Sequence, residues 1–308
     1  MQKADSPSVH ASTESLMAVQ WPAPPGVHAV MTTRLGGVSE PPFDSFNLGD
    51  HVNDGAPAVA ANRSRLAQVL QARPVFLKQV HGVHCASLGH ETPDGMVADA
   101  CVTSSAGLVC TVMVADCLPV LLVDCDGRTV GAAHAGWRGL AGAGQPGSCG
   151  VLENFYKSFK AIALFDKEKF AINEESDRES KMNTGAGQKR GCKDPFAADC
   201  LAWLGPCIGP TAFEVGADVR EAFLNTDLPS VAVAACFEPV RGSPGKYLAF
   251  LAGLARLRLR QLGVHRIEGN DGSDRWCTVT QPSLWFSHRR DAIHLGSTGR
   301  MAACIWRD

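Results

Sequence analysis

Asp126-Gly127 stands between two apolar runs, Val120–Val123 and Thr129–Ala133. An Asp-Gly pair in that setting predicts a two-residue β-hairpin, whose central residues both take positive φ. The turn constrains this chain strongly because it sets a register. Centred on Asp126-Gly127, it places Cys125 opposite Arg128 and Pro119 opposite His134. Cys117 is then the diagonal neighbour of His134 on one face of the sheet, because strand side chains alternate with a period of two. Diagonal neighbours lie about 7–8 Å apart or less. A thiolate and an imidazole so placed can converge on one metal ion or one proton. A slip of one residue would send them to opposite faces.

The rest of the chain suits an α+β (mixed α/β) protein. Its 308 residues, 45% of them hydrophobic, suffice for a substantial core in one large domain or two ordinary ones. Strand signals cover Val27–Thr33, Val75–Val80, Leu108–Val114 and Ala202–Leu204. Helix signals cover Pro57–Gln71, with Asp54 as N-cap and Leu66, Val69 and Leu70 on one face, and also Ala217–Leu224 and Tyr247–Leu262, the last stopped by Gly263. Strands and helices are interspersed without a βαβ rhythm, so a mixed α/β or α+β domain is expected rather than a doubly wound one. Residues 1–20 read as a flexible lead. A Gly-rich stretch at Gly142–Gly150 precedes a segment, Asp166–Asp194, in which about half the residues are charged. Such a segment buries too little apolar surface to offset its ordering entropy, and a surface insertion at about 155–196 is expected.

Charge and composition narrow the function. A net charge of −2 without a basic block gives no support for a nucleic-acid or membrane-surface partner. Arg256, Arg258 and Arg260 on a leucine-rich helix read as a solvated face. No charged n-region leads into an apolar core, so no signal peptide is expected. The most apolar stretch, Val109–Val123, is broken by Asp116 and Pro119 and is too short to span a bilayer. Twelve cysteines occur without a C-x-x-C pair. They read as reduced, mostly buried thiols, with a cytoplasmic location as the default.

Three chemistries fit the Cys117–His134 pair. His81, at a strand end before Gly82, would add a second nitrogen ligand and complete the three-ligand, one-open-position pattern of catalytic zinc. His84 is a rival ligand, but on a strand it points to the other face. Alternatively, Cys117 is a nucleophile with His134 as its base. Asp116 points away from Cys117 if the segment is extended, and joins such a pair only if a turn intervenes. A copper oxidase is the third reading. Cys and two His resemble one blue-copper site, but the chain has no His-x-His pair from which to build a multicopper cluster. A non-enzymatic metal-binding module also fits the same ligands.

A set of motifs in order extends this reading. They are Thr32-Thr33-Arg34-Leu35-Gly36-Gly37, Phe46-Asn47-Leu48-Gly49 with Asn62-Arg63, and Lys78-Gln79-Val80-His81-Gly82. Ala115-Asp116-Cys117-Leu118-Pro119 and His134-Ala135-Gly136-Trp137-Arg138-Gly139 follow. Trp203-Leu204-Gly205-Pro206-Cys207-Ile208-Gly209-Pro210, Arg289-Arg290-Asp291 and Thr298-Gly299-Arg300-Met301-Ala302 complete them. From about residue 20 onward the chain resembles the YfiH-type laccase-domain family, known as purine nucleoside phosphorylases and formerly as polyphenol oxidases. The resemblance implies a fold of layered mixed β-sheets flanked by helices, one domain over 21–308, and a zinc site at His81, Cys117 and His134, with Cu2+ as the alternative metal. It implies purine nucleosides and phosphate as partners. Adenosine, inosine, guanosine and methylthioadenosine would be phosphorolysed, and adenosine would also be deaminated. In such a reaction Arg34, Arg138 and Arg289 are candidates for phosphate, because arginines in glycine-rich turns offer paired donors. Asn47 is the candidate for the ribose hydroxyls, and Trp137 and Phe43 for stacking on the base. The His-x-Glu and Pro-Cys-x-x-Cys signature of cytidine-type deaminases is absent. Two insertions depart from the family pattern, one between Gly139 and Ala202 and one at Ala292–Ser297, and neither removes a ligand.

Overall fold

The fold is that of a computed structural model, which describes residues 15–142, 149–177 and 195–308, with backbone alone at 166–177 and 195. Strands β1 (Leu16–Ala18) and β2 (Val27–Thr32) precede helix α1 (Ala56–Leu70). A run of strands follows: β3 (Arg73–Phe76), β4 (Cys85–Ser87), β5 (Ala100–Thr103), β6 (Leu108–Val114), β7 (Leu118–Val123) and β8 (Val130–Ala135). Helices α2 (Trp137–Ala141), α3 (Val151–Asp177) and α4 (Pro195–Asp199) lead to β9 (Leu201–Leu204) and β10 (Glu214–Gly216). Then come α5 (Ala217–Leu224), α6 (Ser230–Ala234), β11 (Phe237–Pro239), β12 (Lys246–Ala249), α7 (Leu251–Gln261), β13 (Arg266–Gly269), α8 (His288–Leu295) and β14 (Met301–Arg307).

Two mixed sheets form the body, the layered arrangement that the family resemblance implies. One has the order β1-β2-β14-β6-β3 and the other β13-β9-β7-β8-β5-β4, while β10-β12-β11 makes a small third sheet. Strand alternation explains how the layers stack. On β8, Val130 and Ala132 face the five-stranded sheet, sharing a core with Val112, Val114, Met301 and Ala303. Ala133 and Ala135 face the other way, toward α3 and α7, with Phe155, Phe159 and Leu254. The far side of the five-stranded sheet is covered by α1 through Leu66 and Leu70. The order is thus helix, sheet, sheet, helices. Central strands β6, β7 and β8 are buried on both faces, which is why they read as near-continuous apolar runs.

The hairpin keeps the predicted register, with Pro119 opposite His134 and Val123 opposite Val130. Its turn is of a different type. Only Gly127 takes positive φ, at 69°, and Asp126 does not. Gly127 N donates to Asp124 O at 3.2 Å, closing a four-residue turn. The Asp124 carboxylate accepts from the amides of Arg128 and Thr129 at 2.8 and 3.3 Å. That side chain satisfies the donors the shorter turn would have paired, and the pairing sum of the strands is unchanged.

Four expectations need correction. Tyr247 lies in β12, opposite Val215 and Pro239, so the helix starts at Leu251; it does stop at Gly263, with φ 92°. Arg258 is not solvated: it is 2% exposed and pairs with Glu153 at 2.9 Å and Asp227 at 2.7 Å, because the inner face of α7 packs on α3. Asp54 is not the N-cap of α1, a position held by Gly55; its Oδ2 instead accepts from Ser39 and Asn47. The strand expected over Val75–Val80 ends at Phe76. Beyond it, the Gln79 side chain takes over strand pairing, donating to Met113 O at 2.8 Å and accepting from Met113 N at 2.7 Å.

The insertion expected to begin near 155 starts later. Helix α3 runs unbroken to Asp177, and Val151, Leu152, Phe155 and Phe159 are fully buried. The charged stretch therefore begins on the outward continuation of a core helix, and residues 178–194 lie outside the described residues. Among the described residues no helix is long and apolar enough to cross a membrane, and the cysteines form no disulfide. Replacing Phe155 by Ala is expected to cost about 3–5 kcal/mol, the range for a buried phenylalanine. Urea unfolding would measure it; a boundary at 155 would instead make the change nearly neutral.

Candidate metal centre and active site

The site forms at one end of the two-sheet body, where β6 ends, β7 begins, β8 ends and the chain leaving β3 passes over. His134 has the parity of Val130 and Ala132, so it points between the sheets at the rim of that core. A three-residue bend, Ala115–Cys117, with Asp116 at φ 85°, joins β6 to β7 and delivers Cys117 to the same rim. His81 also takes positive φ, 59°. Cys117 Sγ lies 3.6 Å from His81 Nε2, and the His81 and His134 rings meet edge-on with centroids 4.8 Å apart. One ligand atom from each of His81, Cys117 and His134 lies within 4.8 Å of the others. Gly136 leaves the space they converge on: a Cβ there would sit 2.9 Å from His81 Cδ2 and 3.1 Å from Cys117 Sγ.

Asp99 holds this arrangement. Its carboxylate is fully buried and accepts three consecutive amides, Val80 at 3.2 Å, His81 at 2.9 Å and Gly82 at 2.7 Å. It also lies 2.8 Å from His134 Nδ1. Burial opposes its ionisation, but the hydrogen bond and charge of His134 and the amides hold it below the usual carboxylate range. With Nδ1–H directed at Asp99, His134 presents its Nε2 lone pair to the cluster, the orientation a metal-ligating histidine needs. Burial also disfavours the Cys117 thiolate, yet the charge of His134 and hydrogen bonds from His134 and His81 pull the thiol down to about 6. Against its own burial, His134 is pushed up to about 9 by that thiolate and by Asp99. A deprotonated sulfur with two imidazoles is a donor set for zinc or copper.

The trio opens into a cavity of about 420 Å³, within the range of small-molecule sites. Its walls carry Arg138, Arg289, Arg300, His51 and His288, with Trp137, Met113, Ile208, Phe213 and Leu251 as the apolar part. Asp116 is the carboxylate in this wall, and it is already engaged. Its Oδ1 accepts from Thr278 Oγ1 at 2.5 Å and its Oδ2 from the Arg289 amide at 2.6 Å, capping the N-terminus of α8. The cavity is therefore electropositive.

Of the four candidate substrate residues, Arg138 and Arg289 line this cavity. Arg34 and Asn47 do not. Arg34 donates to Asp44 O, Asp44 Oδ2 and Pro282 O and lies over the Phe286 ring. Asn47, fully buried, bonds Gly49, Asp54 and the Arg300 amide. Trp137 lines the cavity and Phe43 does not; His84 is exposed and outside the cluster. Sequence reasoning passed over Asp99, Gly136, His51, His288, Phe213 and Arg300. One signal was present: Val97-Ala98-Asp99 repeats Val114-Ala115-Asp116, and both aspartates brace the site.

Residues 28–169 and 187–308 match the family model described as multi-copper polyphenol oxidoreductase laccase. The purine nucleoside phosphorylase YfiH of Escherichia coli is 43% identical, over 94% of this chain and 98% of that protein. The purine nucleoside phosphorylase of Pseudomonas aeruginosa is 39% identical over 93% and 96%. Among solved structures, protein NMB0706 of Neisseria meningitidis superposes with a TM-score of 0.73 at 38% identity, covering 96% of this chain and 99% of that one. Bacillus licheniformis YfiH gives 0.72 at 28%, over 96% and 98%. With likeness of this extent in both sequence and fold, the chain belongs to the YfiH-type laccase-domain family.

Proposed function

We propose that this protein is a zinc-dependent purine nucleoside phosphorylase, acting on adenosine, inosine, guanosine and methylthioadenosine, with adenosine deaminase as a second activity. The observation that carries the reading is an open His81–Cys117–His134 trio set in an electropositive cavity with an apolar wall. The names of its relatives support the same reading. Phosphorolysis needs an anion held beside an apolar surface for the base, and both are features of this one cavity. The free thiols among the described residues fit a reducing compartment such as the cytoplasm.

In this reading phosphate oxygen bonds to C1′ of the ribose as the bond from C1′ to the purine nitrogen breaks, and the base leaves with the electron pair. The wall arginines hold the phosphate and offset its charge. Trp137 and Phe213 offer aromatic faces to the base, while Arg34 and Asn47 support the loops behind the cavity. His81, Cys117 and His134 would hold the zinc ion, with Asp99 fixing the His134 tautomer. Bound there, zinc would supply Lewis acidity and lower the pKa of water to about 7, the chemistry that deamination requires.

A second reading has its own support. Cys117, His134 and Asp99 share the nucleophile, base and orienting-carboxylate pattern of a cysteine hydrolase. Against it, His81 meets the same sulfur from another side, which a nucleophile does not need and a three-ligand centre does. A laccase-type oxidase would need several copper centres; among the described residues this trio is the one such cluster.

Purified protein is expected to carry one equivalent of zinc by elemental analysis, and Cys117→Ala or His134→Ala to lose it. Activity that survives chelators but dies on thiol alkylation would favour the hydrolase. Asp99→Asn should weaken metal binding about 10- to 100-fold, the usual penalty for removing such a partner, as read by competition with a chromophoric chelator. Chromatography of inosine incubated with the enzyme should show hypoxanthine only when phosphate is present. Hypoxanthine formed without phosphate would identify a nucleoside hydrolase instead.

A further inference from the structure

Three arginines line the cavity, and they differ in what the protein already asks of them. Arg289 spends both Nη groups on Glu214 O at 3.2 Å, and Nη1 reaches Ala212 O as well. Arg138 is exposed and lies over its neighbour Trp137, 4.3 Å from the ring centre. Arg300 bonds the protein through Nη1 alone, to Thr298 O at 2.9 Å and Gly299 O at 3.1 Å. Among the described residues its Nε and Nη2 have no protein partner and no carboxylate pairs with it. The two anionic groups in electrostatic range are Cys117 and Asp116, and both are engaged elsewhere.

Arg300 is nevertheless half-buried and held rigidly. Its amide donates to Asn47 Oδ1 at 2.8 Å and its carbonyl accepts from Leu48 N at 3.1 Å. Gly49 makes room for the stem, since a Cβ there would come within 2.7 Å of Arg300 Cγ. A side chain at Gly299 would meet the Phe286 ring at 2.6 Å, so glycine there lets the chain take this path without moving the ring. Burial works against the Arg300 charge and is partly offset by Cys117 and Asp116, so a half-buried guanidinium without a carboxylate partner is stabilised by a bound anion. Such an anion can arrive with the substrate, and a guanidinium fork matches the spacing of oxygens on a tetrahedral anion.

We propose that Arg300 anchors phosphate in this cavity, through its unpartnered Nε and Nη2 edge, and that the Phe46-Asn47-Leu48-Gly49 loop exists to hold it there. The assignment deepens the phosphorylase reading and rests on it for the identity of the anion. His51 lines the same wall within electrostatic range of Arg300 and supplies a further donor.

The test uses inorganic phosphate and the zinc-loaded full chain. Calorimetry should show phosphate binding to the unaltered protein. Arg300→Met should weaken it about 10- to 100-fold, the loss expected for charge-assisted hydrogen bonds. The KM for phosphate should rise by a similar factor while that for inosine holds within about two-fold. Arg300→Lys keeps the stem and charge without the fork and should fall between, which serves if the methionine variant does not fold. Unchanged phosphate binding in both variants overturns the assignment. So does a wild-type chain that binds no phosphate, a rise confined to the KM for inosine, or a loss reproduced by Arg289→Met but not by Arg300→Met. Phosphate binding that depends on Arg300 without any phosphorolysis would leave the assignment standing and refute the proposed reaction.

Discussion

The buried carboxylate of Asp99 is the interaction on which the site depends. It faces three successive amides of the loop after β3 and the Nδ1 of His134 on β8. Its own backbone carbonyl accepts from the His134 amide at 2.7 Å. One residue thus joins the loop that carries His81 to the strand that carries His134, and it sets the tautomer of the second ring. A fully buried carboxylate is costly unless each lone pair is met. Here four donors meet it, so the charge is tolerated and the loop is pinned. Positive φ at His81 is a strained choice for a non-glycine residue, and the amides bound to Asp99 hold it.

Around this anchor the chemistry divides by charge. The Cys117 thiolate supplies negative charge within the trio and Asp99 supplies it behind His134. Arginines and histidines form the opposite wall, and the carboxylate among them, Asp116, is consumed in capping α8. In the proposed reading the trio would hold a cation and the arginines an anion. Glycines enforce the closeness: Gly136 beneath the trio and Gly49 beneath Arg300 are places where one methyl group would occupy the space.

Much of this was legible in the chain. The pairing of Pro119 with His134 followed from the turn, and with it the shared face of Cys117 and His134. The central strands were visible as apolar runs because both of their faces are covered. Arg258 was misread because a helical pattern shows which positions alternate but not which neighbour covers them. Its neighbours, Glu153 and Asp227, lie far away in sequence. The start of the charged insertion was misjudged for a related reason, since Phe155 and Phe159 belong to the core only once α3 lies across β5 and β8. Asn47 stood out as a polar residue in a glycine-bearing loop, and the fold makes it the support of Arg300 rather than part of the wall.

What the sequence determined by itself is local: the hairpin register, the alternation that puts Cys117 and His134 on one face, and the turn residues that allow tight approach. These depend on backbone geometry with a fixed period, and a period can be read along a chain. The carboxylate that braces the site and, among the described residues, the arginine left without a carboxylate partner were decided by tertiary structure. Asp99 and Arg300 act across 35 residues to His134 and 253 to Asn47. Contacts at such separations arise from how sheets stack and loops cross, and no local pattern encodes them.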